Sequence, residues 1–187
     1  MNYLIEKDRE LLIFLNNLGT EQWDGFWLNV TDKYFWIPLY ILILIAILRY
    51  YGWKRTLFIL FITALLVTFT DQFVNLIKET TARLRPNHDD SINHLIRVVK
   101  NSRGYSFVSG HATNATAVST FFILLIRPYF KSIYLILIWP ILFVCSRVYL
   151  GVHYPIDVLS GVVLGLSIGY IFYRFYQAVT PKLGLLQ

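Results

Sequence analysis

Acid, sulfur and charge in general are scarce in this chain of 187 residues. Asp and Glu number 11 against 17 Lys and Arg, and all four together make up 15% of the chain, while 56% is hydrophobic. Ordinary soluble domains carry about 25% charged residues, so this balance excludes that class and points to a membrane protein. The one cysteine, Cys145, lies inside an apolar run. It excludes an internal disulfide and leaves the redox compartment unmarked. The N-terminus lacks the apolar core of a secretory leader, because Glu6, Lys7, Asp8, Arg9 and Glu10 stand where that core is needed. No cleavable signal peptide is expected. Nor is there a basic stripe with interleaved aromatics, so a net charge of +6 does not predict nucleic-acid binding. Six of the basic residues fall between Lys78 and Arg103, where an anionic ligand explains them.

What is abundant is apolar length. Five runs, about 35–50, 56–77, 111–128, 132–150 and 156–176, each approach the roughly 20 residues that cross a bilayer once their aromatic ends are counted. The expected fold class is all-α: an integral-membrane bundle of about five transmembrane helices, residues 1–187 forming one domain by the length prior. Residues 1–34 do not span, because Glu21 and Asp24 interrupt the candidate. Leu4, Leu11, Leu12, Phe14, Leu15 and Leu18 make one face apolar, and Trp23 and Trp27 follow at i, i+4. That pattern predicts helices lying in the interface or packed on the bundle, two compatible readings.

Loop charge sets the orientation. Arg49, Lys54 and Arg55 lie between the first two runs, Arg127 and Lys131 between the third and fourth, and Arg174 and Lys182 after the fifth, with no acid among them. Every Asp and Glu falls on the other side, six of them in residues 1–34 against three bases. The positive-inside rule puts the C-terminus in the cytoplasm and the acidic side outside.

On that outer side stand charges that are costly near a membrane. Ser146-Arg147-Val148-Tyr149-Leu150-Gly151-Val152-His153-Tyr154-Pro155-Ile156-Asp157 follows an apolar run. A charge at mid-bilayer costs roughly 2.5–3.5 kcal/mol on insertion scales, so such residues usually have a function. Pro155 marks a helix start. Asp157 follows His153 by four residues, within reach of its Nδ1–H, which would fix the tautomer and leave Nε2 free to attack. Arg147 adds a permanent planar cation suited to phosphate. A second segment supplies Lys78 and Arg85, and a third supplies Ser109, Gly110 and His111 at the head of an apolar helix. Backbone N–H groups at that helix start form an anion nest. Three cations, a nest and two histidines read as a phosphoryl-transfer site without a metal.

These segments resemble the tripartite signature of the type 2 phosphatidic acid phosphatase superfamily. Its pattern is Lys-x6-Arg-Pro, Pro-Ser-Gly-His and Ser-Arg-x5-His-x3-Asp. The matching residues are Lys78 with Arg85-Pro86, Ser109-Gly110-His111, and Ser146-Arg147 with His153 and Asp157. All three fall within 78–157 in the family's order and spacing; Val108 departs, standing where the family has proline. The resemblance implies a membrane lipid phosphatase with a covalent phosphohistidine. It implies His153 as nucleophile oriented by Asp157, and His111 as the acid for the leaving group and then the base for water. Lys78, Arg85, Arg147, Ser109 and the Gly110 region would hold phosphoryl oxygens. No acids are placed to hold Mg²⁺, so no metal or cofactor is expected. The expected partners are the bilayer and a lipid phosphate: undecaprenyl diphosphate, phosphatidylglycerophosphate, phosphatidate or a lipid A phosphate. The expected location is the bacterial inner membrane with the site facing outward, and the sequence leaves oligomeric state open. Two other readings stand beside it: transfer of the phosphoryl group to another lipid, and a non-enzymatic lipid-binding or transport protein.

Some features stay outside the signature. Gly161, Gly165 and Gly169 predict close helix packing. Asp71 and Asn75 share a helix face with Lys78, either supporting the site or hydrogen-bonding between helices. Asp89-Asp90-Ser91 predicts the cap of a short amphipathic helix reaching Lys100, with Ile92, Leu95, Ile96 and Val99 on one stripe, an ordinary loop helix or a substrate-contacting lid. Arg83 reads as an interfacial charge that snorkels or pairs, and His88 and His94 as solvated loop residues.

Overall fold

A computed structural model describes residues 2–184. Two short helices, α1 (Asn2–Asn17) and α2 (Glu21–Val30), precede the apolar bundle. Next comes α3 (Ile37–Thr81), 45 residues interrupted at Gly52. Straight, it would be about 68 Å long, more than twice the hydrocarbon core. It instead reverses at Gly52, whose φ of 69° favours a residue without a Cβ. Tyr40, Ile43 and Ile47 therefore line one groove with Val67, Thr63 and Leu60. This hairpin supplies the first two membrane passes.

The remaining passes are α4 (Gly110–Ile126), α5 (Ile138–Tyr149) and α6 (Pro155–Val179). α5 is entered through a 3₁₀ stretch, Lys131–Leu137, and the apolar unit Lys131–Tyr149 is 19 residues long. Pro140 accounts for that entry: it has no N–H for the Ile136 carbonyl and its ring crowds that carbonyl, so regular helix begins only with proline in its first turn. The five-pass expectation agrees with these helices.

α4 is the most enclosed pass. Its buried residues run all round the helix, from Ala112 and Thr113 through Phe121 and Phe122 to Ile126. A helix apolar on every face belongs in the interior. Its closest neighbour is α6, and the glycine stripe explains why. A Cβ on Gly161, Gly165 or Gly169 would lie 2.8, 2.6 or 2.5 Å from the carbonyl oxygens of Ser109, Thr113 and Ala117. The backbones touch, as the four-residue glycine spacing predicts.

The N-terminal helices lie across the end of the bundle that holds the signature residues. Asp8, Leu12 and Asn16, spaced at i, i+4, i+8, are the buried stripe of α1. Leu4, Leu11, Phe14, Leu15 and Leu18 remain exposed on the other faces. Docking thus buries two polar residues and one leucine of the predicted apolar face, while Leu11 and Leu15 of that face line a groove with Trp27 and Tyr149 and the rest stays exposed. α2 contributes Trp27, stacked on Tyr149 at 5.2 Å.

One sequence expectation fails. Residues 91–100 do not form a helix; only the 3₁₀ turns Pro86–His88 and Asn93–Leu95 occur in the 82–109 connection. Asp89 does cap, accepting from the backbone N–H and hydroxyl of Ser91, but Asn16 takes the backbone further on. Asn16 Oδ1 accepts from Arg97 N at 2.6 Å and its Nδ2 donates to Arg97 O at 3.2 Å. Those two bonds hold the chain extended, where a helix would need the same groups for itself. Ile92 turns in to pack on Leu12 and Tyr154, so the predicted stripe never forms.

Replacing Gly165 with alanine is expected to push α4 and α6 apart and destabilise the protein by about 1–3 kcal/mol, the usual penalty of overpacking. Gly25→Ala, where a methyl meets nothing within 4 Å, is the control. Thermal unfolding in detergent reads both, and equal melting temperatures would contradict the close-packing account.

Candidate active site

Every residue of the tripartite signature lies at one end of the bundle. His153 sits in the 150–154 connection between α5 and α6 and is 2% exposed. Gly151, at φ 69°, turns the chain there, and a Cβ on it would meet Arg97 O at 2.9 Å. The Arg147 carbonyl accepts from the N–H groups of Val152 and His153 at 3.2 and 3.3 Å, so the imidazole is set directly over the last turn of α5.

His153 Nδ1 lies 3.5 Å from Asp157 Oδ2 and 3.4 Å from Ser106 Oγ. Both contacts are long, as catalytic hydrogen bonds often are before substrate tightens them. On the other side of the ring, Arg85 Nη1 approaches Nε2 at 3.1 Å while also donating to Val152 O at 3.0 Å. Since a guanidinium only donates, Nε2 must accept, which puts the ring proton on Nδ1. This is the tautomer the four-residue spacing predicts. Burial of the ring, augmented by Arg85 and Arg147 and opposed by Asp157, pushes the His153 pKa down to about 4.

Asp157 does more than face His153. Its carboxylate stands at the third position of α6 and accepts from Tyr154 N at 3.0 Å, closing the first turn. Ser106 Oγ donates to the same oxygen, and Arg83 Nη1 donates to the other at 2.6 Å. Its backbone carbonyl accepts from Ser109 N at 3.0 Å, tying the head of α4 to that of α6.

Two cations approach the His153 side of the site and one approaches Gly110. Arg147 is 2% exposed; its Nε reaches Ser146 Oγ at 3.4 Å and its buried Nη2 has no protein partner. Arg85 is anchored by Arg103 O at 3.1 Å and Val152 O at 3.0 Å. Lys78 reaches the head of α4, where a Cβ on Gly110 would lie 4.0 Å from its Nζ. Gly110 opens α4 with its N–H groups free of side-chain caps, as the nest predicts, and the Ser109 hydroxyl is buried without a partner. His111 is exposed, lies against Phe143 at 5.8 Å, and faces a groove shared with Lys78.

Sequence reasoning missed the groups that support the signature residues. Arg83 does pair, but with two buried carboxylates: its second nitrogen donates to Asp8 at 2.6 Å, and its guanidinium lies 3.9 Å over the Tyr154 ring. Asp8 also accepts from Ile156 N at 2.9 Å, so α1 is bonded to the first turn of α6. A second clamp runs beside it, with Arg9 and the Tyr154 hydroxyl both donating to Asp89 at 2.8 Å. Ser106, fully buried, joins Asp157 to His153. Lys100 lies in the field of Arg147, and burial together with that charge pushes its pKa down. The signal for Asp8 was present as the one acid in the i, i+4, i+8 stripe of α1; nothing local distinguishes Arg83 or Ser106. His88 and His94 are exposed, as expected.

Among the described residues, no three His, Cys, Asp or Glu side chains come together in a way that would hold a metal ion.

A family model described as the PAP2 superfamily matches residues 55–181. A lipid A 4'-phosphatase of Bacteroides thetaiotaomicron is 35% identical over an alignment covering 98% of this chain and 83% of that protein. A lipid A 4'-phosphatase of Porphyromonas gingivalis is 32% identical, with 94% and 75% covered. Among solved structures, a transmembrane PAP2-type phosphatidylglycerolphosphate phosphatase from Bacillus subtilis superposes with a TM-score of 0.76 at 22% identity, covering 96% of this chain and 89% of that one. At that identity the likeness concerns the fold.

The charges around His153 make a titration prediction. With its pKa near 4, the ring is expected to stay neutral, with the proton on Nδ1, from pH 8 down to about pH 5 in ¹⁵N spectra. Arg83→Gln removes a cation behind Asp157 and is expected to move the His153 titration to higher pH. Asp8→Asn removes an anion from Arg83 and is expected to move it lower. Imidazolium at pH 6 in the unmodified protein, or shifts of the same sign in both variants, would contradict the arrangement.

Proposed function

The chain belongs to the PAP2 superfamily of integral-membrane lipid phosphatases, and we propose that it hydrolyses a lipid phosphomonoester through phosphohistidine, on the outer face of the bacterial inner membrane. The observation that carries the mechanism is the neutral His153, its Nε2 acting as an acceptor 3.1 Å from Arg85 with Arg147 nearby carrying a buried, unpartnered Nη2. A phosphoryl group entering there takes the donors that Arg85 and Arg147 offer, while Lys78 and the N–H groups at Gly110 neutralise its remaining oxygens. Charge gathers on those oxygens in the transition state, so donors already in position lower the barrier.

His153 Nε2 attacks phosphorus. Its Nδ1–H points towards Asp157 and Ser106, which stabilise the positive charge that develops on the ring. The bond to the leaving oxygen breaks, and His111 gives that alkoxide its proton. His111 then takes a proton from water, which attacks the phosphohistidine and releases inorganic phosphate. The cations are all side chains, and among the described residues no acidic cluster is placed for Mg²⁺, which supports a metal-independent reaction.

For the substrate, two relatives that match 98% and 94% of the chain are lipid A 4'-phosphatases, which favours a phosphate on a glycolipid sugar. We read residues 1–187 as one phosphatase domain whose N-terminal segment, 1–34, lies in the interface beside the site. For sidedness, Arg49, Lys54, Arg55, Arg127 and Lys131 lie at the end opposite His153, and the positive-inside rule assigns that end to the cytoplasm.

Purified protein is expected to release phosphate from a lipid A phosphate in the presence of EDTA and to be blocked by vanadate. His153→Asn is expected to abolish turnover of every substrate, and His111→Asn to lower it by about 10²–10⁴-fold, the ordinary worth of an acid catalyst. The His111 loss is expected to be smaller on an aryl phosphate, whose leaving group needs no proton. A strict requirement for Mg²⁺ would sink the mechanism.

Sidedness has its own test. On a Cys145→Ser background, Asp90→Cys is expected to react with a membrane-impermeant thiol reagent in intact cells, and Lys54→Cys only after the membrane is broken. The reverse pattern would move the substrate pool to the cytoplasmic leaflet.

A further inference from the structure

His111 faces a groove of about 400 Å³ between the α3 hairpin, α4 and α5, and His153 does not line it. The groove therefore opens on the acid's side of the phosphorus, where the leaving group must lie. Its walls are unusual for a lipid-facing cleft. One turn below Lys78 on α3 comes Asn75 and one turn further Asp71; one turn below His111 on α4 comes Asn114. Asn114 Nδ2 donates to Asp71 Oδ1 at 2.5 Å. That bond uses one of about four lone-pair positions on the carboxylate. The Asn75 side chain is exposed and makes no hydrogen bond among the described residues, and Asp71 is exposed as well. Trp139, packed against Tyr40 and Phe143, lines the groove from α5.

We propose that this groove is a leaving-group subsite for a hydroxyl-bearing sugar ring, with Asp71 accepting from ring hydroxyls and Asn75 and Asn114 bonding beside it. An alkyl or prenyl leaving group has no donors for the acceptor positions that Asn114 leaves open on Asp71. A ring bearing hydroxyls has such donors, and it has acceptors for the exposed Asn75 amide. The competing account is that Asp71 and Asn114 only join α3 to α4. Such a link acts on stability and is indifferent to what leaves the phosphorus.

The inference rests on the lipid phosphatase reading, and the test separates the two. Asp71→Asn keeps an acceptor for Asn114 but removes the charge, and Asn75→Ala removes an exposed amide that holds nothing else. Each is assayed with a glucosamine-based lipid phosphate and with phosphatidate of matched acyl chains. The ratio of kcat/KM for the sugar phosphate to that for phosphatidate is expected to fall roughly tenfold in Asp71→Asn, the factor of one charge-assisted hydrogen bond. It is expected to fall by a smaller factor in Asn75→Ala. Because the ratio is taken within one preparation, partial misfolding cancels. An unchanged ratio in both variants, with the unmodified protein active on the sugar phosphate, would overturn the subsite alone. Unmodified protein active on phosphatidate but inert to the sugar phosphate would overturn both the subsite and the glycolipid reading.

Discussion

A buried carboxylate organises this end of the molecule. Asp157 is wholly buried, and an ionised acid in such a place is costly unless every lone pair finds a partner. The chain meets that demand from four directions. Arg83 comes from the connection after α3, Ser106 from the approach to α4, Tyr154 N from the turn before α6, and His153 from the segment after α5. The last two are neighbours in the 150–154 connection, so the partners come from three stretches of sequence, and satisfying one carboxylate fixes the relative positions of the helix ends they join. Arg83 then needs a second anion to sit comfortably in so enclosed a place, and Asp8 provides it from α1. The N-terminal helix is thereby bonded into the site, two steps from His153.

The remainder of the framework is held by shape. Between helices in lipid, apolar contact gives no net transfer from water, so close approach and dispersion must carry the association. The glycines of α6 serve that need: their missing side chains admit the carbonyls of Ser109, Thr113 and Ala117. The first of these contacts adjoins the Ser109 N to Asp157 O bond. Packing in the membrane and the geometry of the phosphate nest are therefore consecutive turns of one contact, and a shift in the first displaces the second.

Sequence alone carried the periodic and the spaced features well. Apolar runs give the passes, and the His153–Asp157 interval, the Gly161 stripe and the head of α4 are all set by distances along one helix or one turn. What sequence did not carry depends on contacts between distant segments. Arg83 looks like any flanking base until Asp8, some 75 positions away, comes beside it. The amphipathic stripe over 91–100 is real as a pattern. It fails as a helix because Asn16, from α1, bonds both backbone groups of Arg97. A local signal of a few tenths of a kcal/mol per residue is overridden by a buried side chain that would otherwise lack partners.

The arrangement divides the chemistry into an enclosed half and an open half. His153, Asp157 and Arg147 are buried, and the groups around His153 are held by bonds to backbone carbonyls and carboxylates. His111 is exposed, rests on Phe143, and looks into a groove. The proposed attack on phosphorus demands one orientation and one protonation state of His153, and the bonds of the enclosed half favour both. Departure involves whatever molecule bears the phosphate, and the open half is where a family with one phosphate site can accept different leaving groups. In the proposed reading, specificity belongs to the residues lining the groove, one or two turns below the signature, while the signature residues read the phosphate.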